Sequence, residues 1–111
     1  MAFPVYSTRL LSGHDLGAFS HSIVVPAGFV WVIRDIDVYY GADTGPSEWE
    51  CDLIDQDAIV VGILNAQINP SSAGASQWRG RQCIEAGCTM RVETVGGTWY
   101  WTISGYQLTL P

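Results

Sequence analysis

The feature that most constrains the fold of this sequence is a two-residue alternation of side chains that restarts roughly every 8 to 12 residues. In Val30–Tyr40, the even positions are apolar except for Arg34, and the odd positions run from Trp31 to Tyr39. Alternate side chains of a strand point to opposite faces, so the even and odd positions are expected to form two faces. No segment of useful length repeats its apolar residues at the period of a helix. The sequence therefore predicts an all-β protein.

Turn residues divide the alternating stretches from one another. The stretches are Ser7–Leu11, Gly17–Val25, Val30–Tyr40, Trp49–Leu53, Ala58–Leu64, Gln77–Ile84, Cys88–Val95, Thr98–Ile103 and Tyr106–Leu110. They predict about eight strands in an antiparallel, jelly-roll-like β-sandwich, with a bulge or kink at Gly105 between the last two stretches. Ala58–Leu64 is almost continuously β-branched, so both of its faces are expected to be covered. The short chain is predicted to form one domain, residues 1–111.

Several turns can be identified from glycine and proline. Pro26-Ala27-Gly28 has a proline at its first corner and a glycine where a positive φ is favoured, and Glu85-Ala86-Gly87 repeats the pattern. We interpret Pro26, Gly28 and Gly87 as parts of ordinary hairpin turns, with a faint internal duplication as the alternative. Gly96-Gly97 predicts a tight hairpin, and Asn69–Ser76 predicts a loop.

The composition favours association with other proteins. Hydrophobic residues make up 48% of the chain and charged residues only 14%, against about 25% in typical soluble domains. A small domain of this kind has apolar surface that it cannot bury alone, which favours a homo-oligomer. The net charge is −6 and lysine is absent, so nucleic-acid binding is not expected. The apolar stretches are too short to cross a membrane, and the first residues lack signal-peptide features, which predicts a cytosolic product with no membrane insertion.

The sequence offers no recognisable catalytic set. His14 and His21 are interpreted as a loop residue and a strand residue, and no nucleophile motif accompanies them. Asp52, Asp55 and Asp57 do not follow the calcium-loop pattern and are interpreted as a solvated acidic turn. We therefore expect no enzymatic activity, no cofactor and no metal site.

Three cysteines give an odd count, which argues against a secreted disulfide scaffold. Buried, reduced thiols are the expected state of Cys51, Cys83 and Cys88. Because Cys83 and Cys88 flank a predicted turn, a disulfide between them remains open. A zinc site made from the three cysteines and a histidine is the weaker alternative.

Five residues are candidates for an interface. Trp99 and Trp101 share one strand face and are expected in the core or at a subunit contact, with a sugar-stacking platform as the alternative. Arg79 and Arg81 project from one face with Trp78 on the other. We interpret these arginines as partners for carboxylates on a neighbouring strand or subunit, with a carbohydrate or phosphate site as the alternative.

Blocks spread along the whole chain resemble small virion proteins of tailed bacteriophages that infect actinobacteria. The blocks are Phe3–Arg9, Val25–Gly28, Trp31–Tyr39, Gln77–Gln82 and Ile103–Pro111. The resemblance implies a β-sandwich present in many copies on a virus particle, either as a head decoration or as a minor tail or tail-tip protein. The last block also resembles the final strand of trimeric jelly rolls of the tumour-necrosis-factor type, which favours a threefold assembly. No catalytic residues accompany either resemblance.

Two functions follow as expectations. The first is a non-enzymatic virion component that binds itself, with a trimer favoured, and other capsid or tail proteins after assembly in the bacterial cytoplasm. The second is a lectin-like module that recognises host-surface carbohydrate through Trp99, Trp101 and nearby polar loops. A small hydrolase is a distant third, since no nucleophile or acid pair is marked.

Overall fold

The computed structural model describes residues 8–42 and 46–110, and the elements it contains are all β-strands. The strands are β1 (Thr8–Leu16), β2 (Phe19–Val24), β3 (Phe29–Tyr40), β4 (Glu48–Ile54), β5 (Val60–Ile68), β6 (Gly74–Ile84), β7 (Thr89–Val95) and β8 (Thr98–Thr109). The all-β prediction is therefore confirmed. Ser7, the predicted start of the first strand, lies outside the described residues. The predicted loop Asn69–Ser76 is shorter than expected, because β6 already begins at Gly74.

The strands form two four-stranded antiparallel sheets. Sheet A has the order β1-β8-β3-β6, and sheet B has the order β2-β7-β4-β5. Among the described strands, only β4 and β5 are neighbours both in sequence and within a sheet; every other connection passes from one sheet to the other. This is the strand order of a double Greek key, and it confirms the predicted jelly-roll-like sandwich. It also means that Gly96-Gly97 is not a hairpin turn, since β7 and β8 lie in different sheets.

The two similar glycine turns have the backbone conformation that the sequence predicted. Gly28 has a φ of 87° and Gly87 a φ of 84°, values that favour glycine because it has no Cβ. Each turn is closed by a hydrogen bond from its fourth residue to its first, at 3.2 Å to the carbonyl of Pro26 and 3.1 Å to the carbonyl of Glu85. Their interpretation as hairpin turns is wrong, because each one carries the chain between sheets.

Val25 joins these two turns at one corner of the sandwich. Its N–H donates to the carbonyl of Cys88, and its carbonyl accepts from the N–H of Gly87, both at 2.9 Å. Since β2 pairs with β7 and β3 pairs with β6, the four strands run as one double ribbon that bends here. The two turns occupy matching places in that ribbon, which accounts for their similar sequences.

The alternation of β3 changes face at Arg34. The pairing register skips from Ile33 to Asp35 against both neighbouring strands. Trp31 and Ile33 are in the core before this point, and Ile36 is in the core after it. The prediction of one unbroken alternation through this strand is therefore wrong, because an extra residue shifts the side chains that follow to the opposite face.

Gly105 lies inside a continuous β8, so the bulge or kink predicted at this glycine is not in β8 itself. The irregularities lie in the strands beside it, between Arg9 and Leu11 of β1 and between Ile33 and Asp35 of β3. A Cβ at position 105 would overlap the carbonyl oxygen of the facing strand β3. Glycine is required here because the β3 backbone approaches too closely for a side chain.

The sequence predicted that the first strand ends before Ser12 and Gly13. In the structure this strand continues to Leu16. Gly13 pairs with Trp101 of β8, and a Cβ on this glycine would lie 2.6 Å from the indole ring. The ring fills the space that a side chain would need, so glycine extends this strand instead of ending it. His14 consequently lies in a strand and not in a loop.

Buried side chains from both sheets form the core. They are Val25, Trp31, Ile33, Ile36, Val38, Trp49, Cys51, Leu53, Ile84, Met90, Val92, Trp99, Trp101 and Ile103. Burial, and then the charge of Asp52, raises the pKa of Cys51 to about 12. The Cys51 thiol is therefore neutral and enclosed, as expected for a structural cysteine.

Candidate functional site

Exposed branched side chains follow the edge strand β5. Between 45% and 65% of each side chain is accessible, and the residues are Ile59, Val60, Val61, Ile63 and Ile68. We call these five residues the β5 patch. The prediction that both faces of this segment are covered is wrong, because these side chains are about half exposed. Among the described strands, β5 pairs only with β4 and so lies at an edge of sheet B.

Two register shifts shape this patch. In the pairing with β4, Leu64 is an extra residue of β5 near Asp52, and Val61 is a second extra residue near Ile54. The second shift leaves Val60 and Val61 exposed next to each other. Bulges twist an edge strand and make it a poor template for an added strand. The patch therefore offers apolar side chains, more than free backbone groups, to a partner.

A cluster of charges lies beside the patch at the centre of sheet B. Arg91 of β7 contacts Asp52 of β4 at 2.8 Å (Nη2 to Oδ2) and Glu93 at 3.2 Å (Nε to Oε1). The hydrogen bond to Asp52 is the main reason that the pKa of Arg91 is raised. The nearly inaccessible carboxylate of Asp52 is thereby paired, as a buried charge must be.

Glu50 shares this face and completes the cluster. A hydrogen bond with Asp52, then burial, then the proximity of Glu48 raise the pKa of Glu50 to about 8. Oδ1 of Asp52 is buried, and no donor reaches it among the described residues. Protonation of Glu50 would provide a donor for Asp52. The raised pKa favours the neutral form of Glu50, which would lower the negative charge of this face.

A shallow cavity of about 230 Å³ adjoins the patch, where the edges of β5 and β6 face each other. Val61 and Leu53 line it, together with Cys83 and Cys88. Both cysteines are free thiols, and Cys83 is exposed, which corrects the expectation that it is buried. The cavity extends the apolar surface around Val61.

Trp99 and Trp101 are inside the chain's own core, with 0% and 3% of their surface accessible. Trp101 donates from Nε1 to Oδ2 of Asp15 at 3.1 Å, and Nε2 of His21 lies 3.0 Å from the same carboxylate. Of the places expected for these tryptophans, the core is the correct one. The two tryptophans are too deeply buried to lie at an interface or on a surface that stacks sugar.

The other interface candidates lie on β6. Trp78 is partly buried against the core, and Arg81 is exposed. Arg79 forms ion pairs with Asp35 (3.2 Å) and Asp37 (2.8 Å) of the adjacent strand β3, and the hydrogen bond to Asp37 raises the pKa of Arg79. The expected carboxylate partners of Arg79 are thus found within the chain. A contact between these β6 residues and another subunit stays a prediction.

The predicted acidic turn divides into two parts. Asp55 accepts the backbone N–H groups of Asp57 and Ile59, both at 2.9 Å, and so caps its own turn. Asp52 is buried and belongs instead to the cluster around Arg91. Across residues 8–42 and 46–110, no three histidine, cysteine or acidic side chains are grouped to hold a metal ion. That part of the chain also has no helix long and apolar enough to span a bilayer.

The β5 patch was not predicted from the sequence. Its branched residues predict burial as readily as an exposed edge, because hydrophobic periodicity alone does not report what covers a strand. One signal was available: Ala58–Ile68 contains no charged residue. Edge strands usually carry charged residues that oppose association, so an edge strand without charges indicates a surface that a partner covers.

Comparisons with known proteins found solved structures that are similar to this chain at low identity. No protein-family model and no curated protein matches the sequence. A chain in a structure of the Gx strain of infectious bursal disease virus matches 94% of this chain with a TM-score of 0.46 and 12% identity. A chain from the Gt strain of the same virus matches 92% with a TM-score of 0.33 and 11% identity. This chain covers only 31% and 28% of those two chains, and the assignment of function rests on its own residues.

Proposed function

We propose that this chain is a non-enzymatic structural protein of a virus particle, which acts by packing against copies of itself and against neighbouring virion proteins. The observation that carries the proposal is the β5 patch. Five branched side chains, each about half exposed, lie along or beside one edge strand, and exposed apolar side chains grouped in this way are typical of surfaces that partners cover.

A second copy of the chain suits this patch. Ala58–Ile68 has no charge, so two chains that each carry a net charge of −6 can bring their patches together without pairing like charges. The raised pKa of the adjacent Glu50 favours its neutral form, which would lessen the repulsion between copies. A closed oligomer, with a trimer favoured by the resemblance of the final block, would cover every copy of the patch.

The resemblance to bacteriophage virion proteins supports the proposed location. It fits either a head decoration or a minor tail or tail-tip protein. Assembly in the bacterial cytoplasm would keep the thiols reduced, which suits the free state of Cys83 and Cys88.

The patch is tested by measuring molar mass with light scattering over a range of protein concentrations. We expect the unmodified chain to form an oligomer and Val61→Asp to be a monomer. Val24→Asp is a matched control, because Val24 is 56% exposed and Val61 63% exposed on the two opposite edges of sheet B. The control variant should keep the mass of the unmodified oligomer, and near-UV circular dichroism should show that both variants fold.

An unmodified chain that stays monomeric at every concentration contradicts self-assembly. Dissociation by Val24→Asp but not by Val61→Asp would move the interface to the other edge of the sheet. The virion location has its own test, which is mass spectrometry of purified particles. Absence of the chain from particles would refute the location whatever its oligomeric state.

A further inference from the structure

The outer face of sheet A carries a row of aromatic side chains. His14, Tyr100 and Tyr39 lie directly opposite one another on the adjacent strands β1, β8 and β3. The rings of His14 and Tyr100 stack with their centroids 4.0 Å apart and their planes 9° from parallel. Tyr100 is 49% exposed and Tyr39 53% exposed. Their neighbour Trp101 points into the core, so the two tyrosines point outward.

A row of hydrogen-bonding side chains runs parallel to the aromatic row. Ser12, Thr102, Asp37 and Gln77 lie opposite one another across the four strands of sheet A, two residues along each strand from the aromatic row. Together they present hydroxyl, carboxylate and amide groups. The charge of Asp37 is offset by its ion pair with Arg79.

We propose that this face binds neutral carbohydrate. The C–H face of a pyranose ring would stack on Tyr100 and Tyr39, and its hydroxyl groups would reach the polar row. Aromatic rings beside a few fixed polar groups are a typical arrangement for holding an uncharged ligand. Stacking between His14 and Tyr100 holds the Tyr100 ring in place before a ligand arrives, which reduces the entropy lost on binding.

The chemistry of this face favours a sugar over other partners. The polar row has no aliphatic side chain. Among the described residues, Ala75 pairs with Tyr39, and Leu16 lies two residues from His14 along β1. A protein contact usually needs a larger apolar centre. Nucleic acid is disfavoured because the chain is acidic and Arg79 is already paired with carboxylates.

The proposed carbohydrate surface is separate from the β5 patch, since the two lie on different sheets. It therefore does not depend on the proposed structural function. An oligomer that buries β5 leaves the outer face of sheet A exposed in each copy. Repetition of a weak sugar site across an assembly would raise its overall avidity.

The test is an array of neutral glycans that includes the cello-, malto-, manno- and galacto-oligosaccharide series, followed by NMR titration of the best binder. We expect Tyr100→Ala and Tyr39→Ala each to weaken binding, with a dissociation constant raised about two- to tenfold. Tyr100→Phe keeps the ring and should retain stacking. Val61→Asp changes the other sheet, so this variant should bind each glycan that is free in solution as tightly as the unmodified chain does.

Absence of a signal from every glycan series overturns the proposal. Binding that is unchanged in both alanine variants would place the sugar elsewhere and also overturns it. If Tyr100→Ala lowers the molar mass of the oligomer and no glycan binds, the aromatic row is a protein contact. Chemical-shift changes confined to the strands of sheet A would support the proposed site.

Discussion

Glu50→Gln tests whether sheet B holds a proton at neutral pH. Glutamine keeps an N–H donor for Asp52 but cannot ionise. In the folded chain, the hydrogen bond with Asp52 and burial raise the pKa of Glu50 from 4.5 to about 8. Between these two values the folded state binds a proton that the unfolded state has released. The stabilisation is therefore complete below pH 4.5 and is lost as the pH rises to about 8.

The size of the effect follows from the same shift. Each pH unit in this interval changes the free energy of unfolding by at most about 1.4 kcal/mol. Because a group with a pKa of about 8 is half ionised at pH 8, the change between pH 6 and pH 8 is about 2 kcal/mol. Glu50 is partly accessible, and solvent screening reduces this figure. We expect the unmodified chain to lose about 1 kcal/mol more than Glu50→Gln over that range.

Urea unfolding followed by tryptophan fluorescence at pH 6, 7 and 8 measures this difference. Both proteins should carry Val61→Asp, so that oligomerisation does not make the stability depend on concentration. The two curves of free energy against pH should diverge above pH 6, with Glu50→Gln the more stable at pH 8. Parallel curves would refute the proton shared with Asp52.

Three further predictions concern stability and assembly. Gly105→Ala should lower the free energy of unfolding by about 3 kcal/mol, because its methyl group meets a backbone carbonyl. Gly28→Ala should lower it by only about 1 kcal/mol, through backbone strain alone. Equal shifts of the urea midpoint in the two variants would contradict this difference. Trp101→Phe removes the indole donor to Asp15 and should cost about 2 kcal/mol, and an unchanged midpoint would show that this bond contributes nothing. Arg79→Ala removes exposed ion pairs with Asp35 and Asp37 of its own chain, so the urea midpoint and the molar mass of the oligomer should both change little; a lower molar mass would instead support the subunit contact predicted for Arg79.

Local backbone chemistry was predictable from the sequence, and sheet membership was not. The positive φ values of Gly28 and Gly87 follow from the turn motifs themselves, because a turn is set by its own four residues. Whether the strands on either side pair together depends on residues far away in the chain. Both turns were therefore recognised, and both were assigned to the wrong kind of connection.

The candidate surfaces show the same limit. Alternation along β8 placed Trp101 and Tyr100 on opposite faces, as the structure confirms. It did not determine which face was the core, so the tryptophans were expected either in the core or at a subunit interface. The aromatic row emerges only when the topology brings Tyr39 and His14 beside Tyr100. The exposure of β5 likewise depends on its place at an edge, which is a property of the whole strand order.

The strand order also determines when each segment can find a partner during synthesis. β1 must wait for β8, and β2 must wait for β7, which are almost the length of the chain away. Among the described strands, β4 and β5 alone form a pair of consecutive strands, so their hairpin can close early. The uncharged segment Ala58–Ile68 is then ordered and exposed while the rest of the sandwich is still open. Correct assembly and aggregation compete for the same side chains, and slower synthesis or lower temperature should favour assembly.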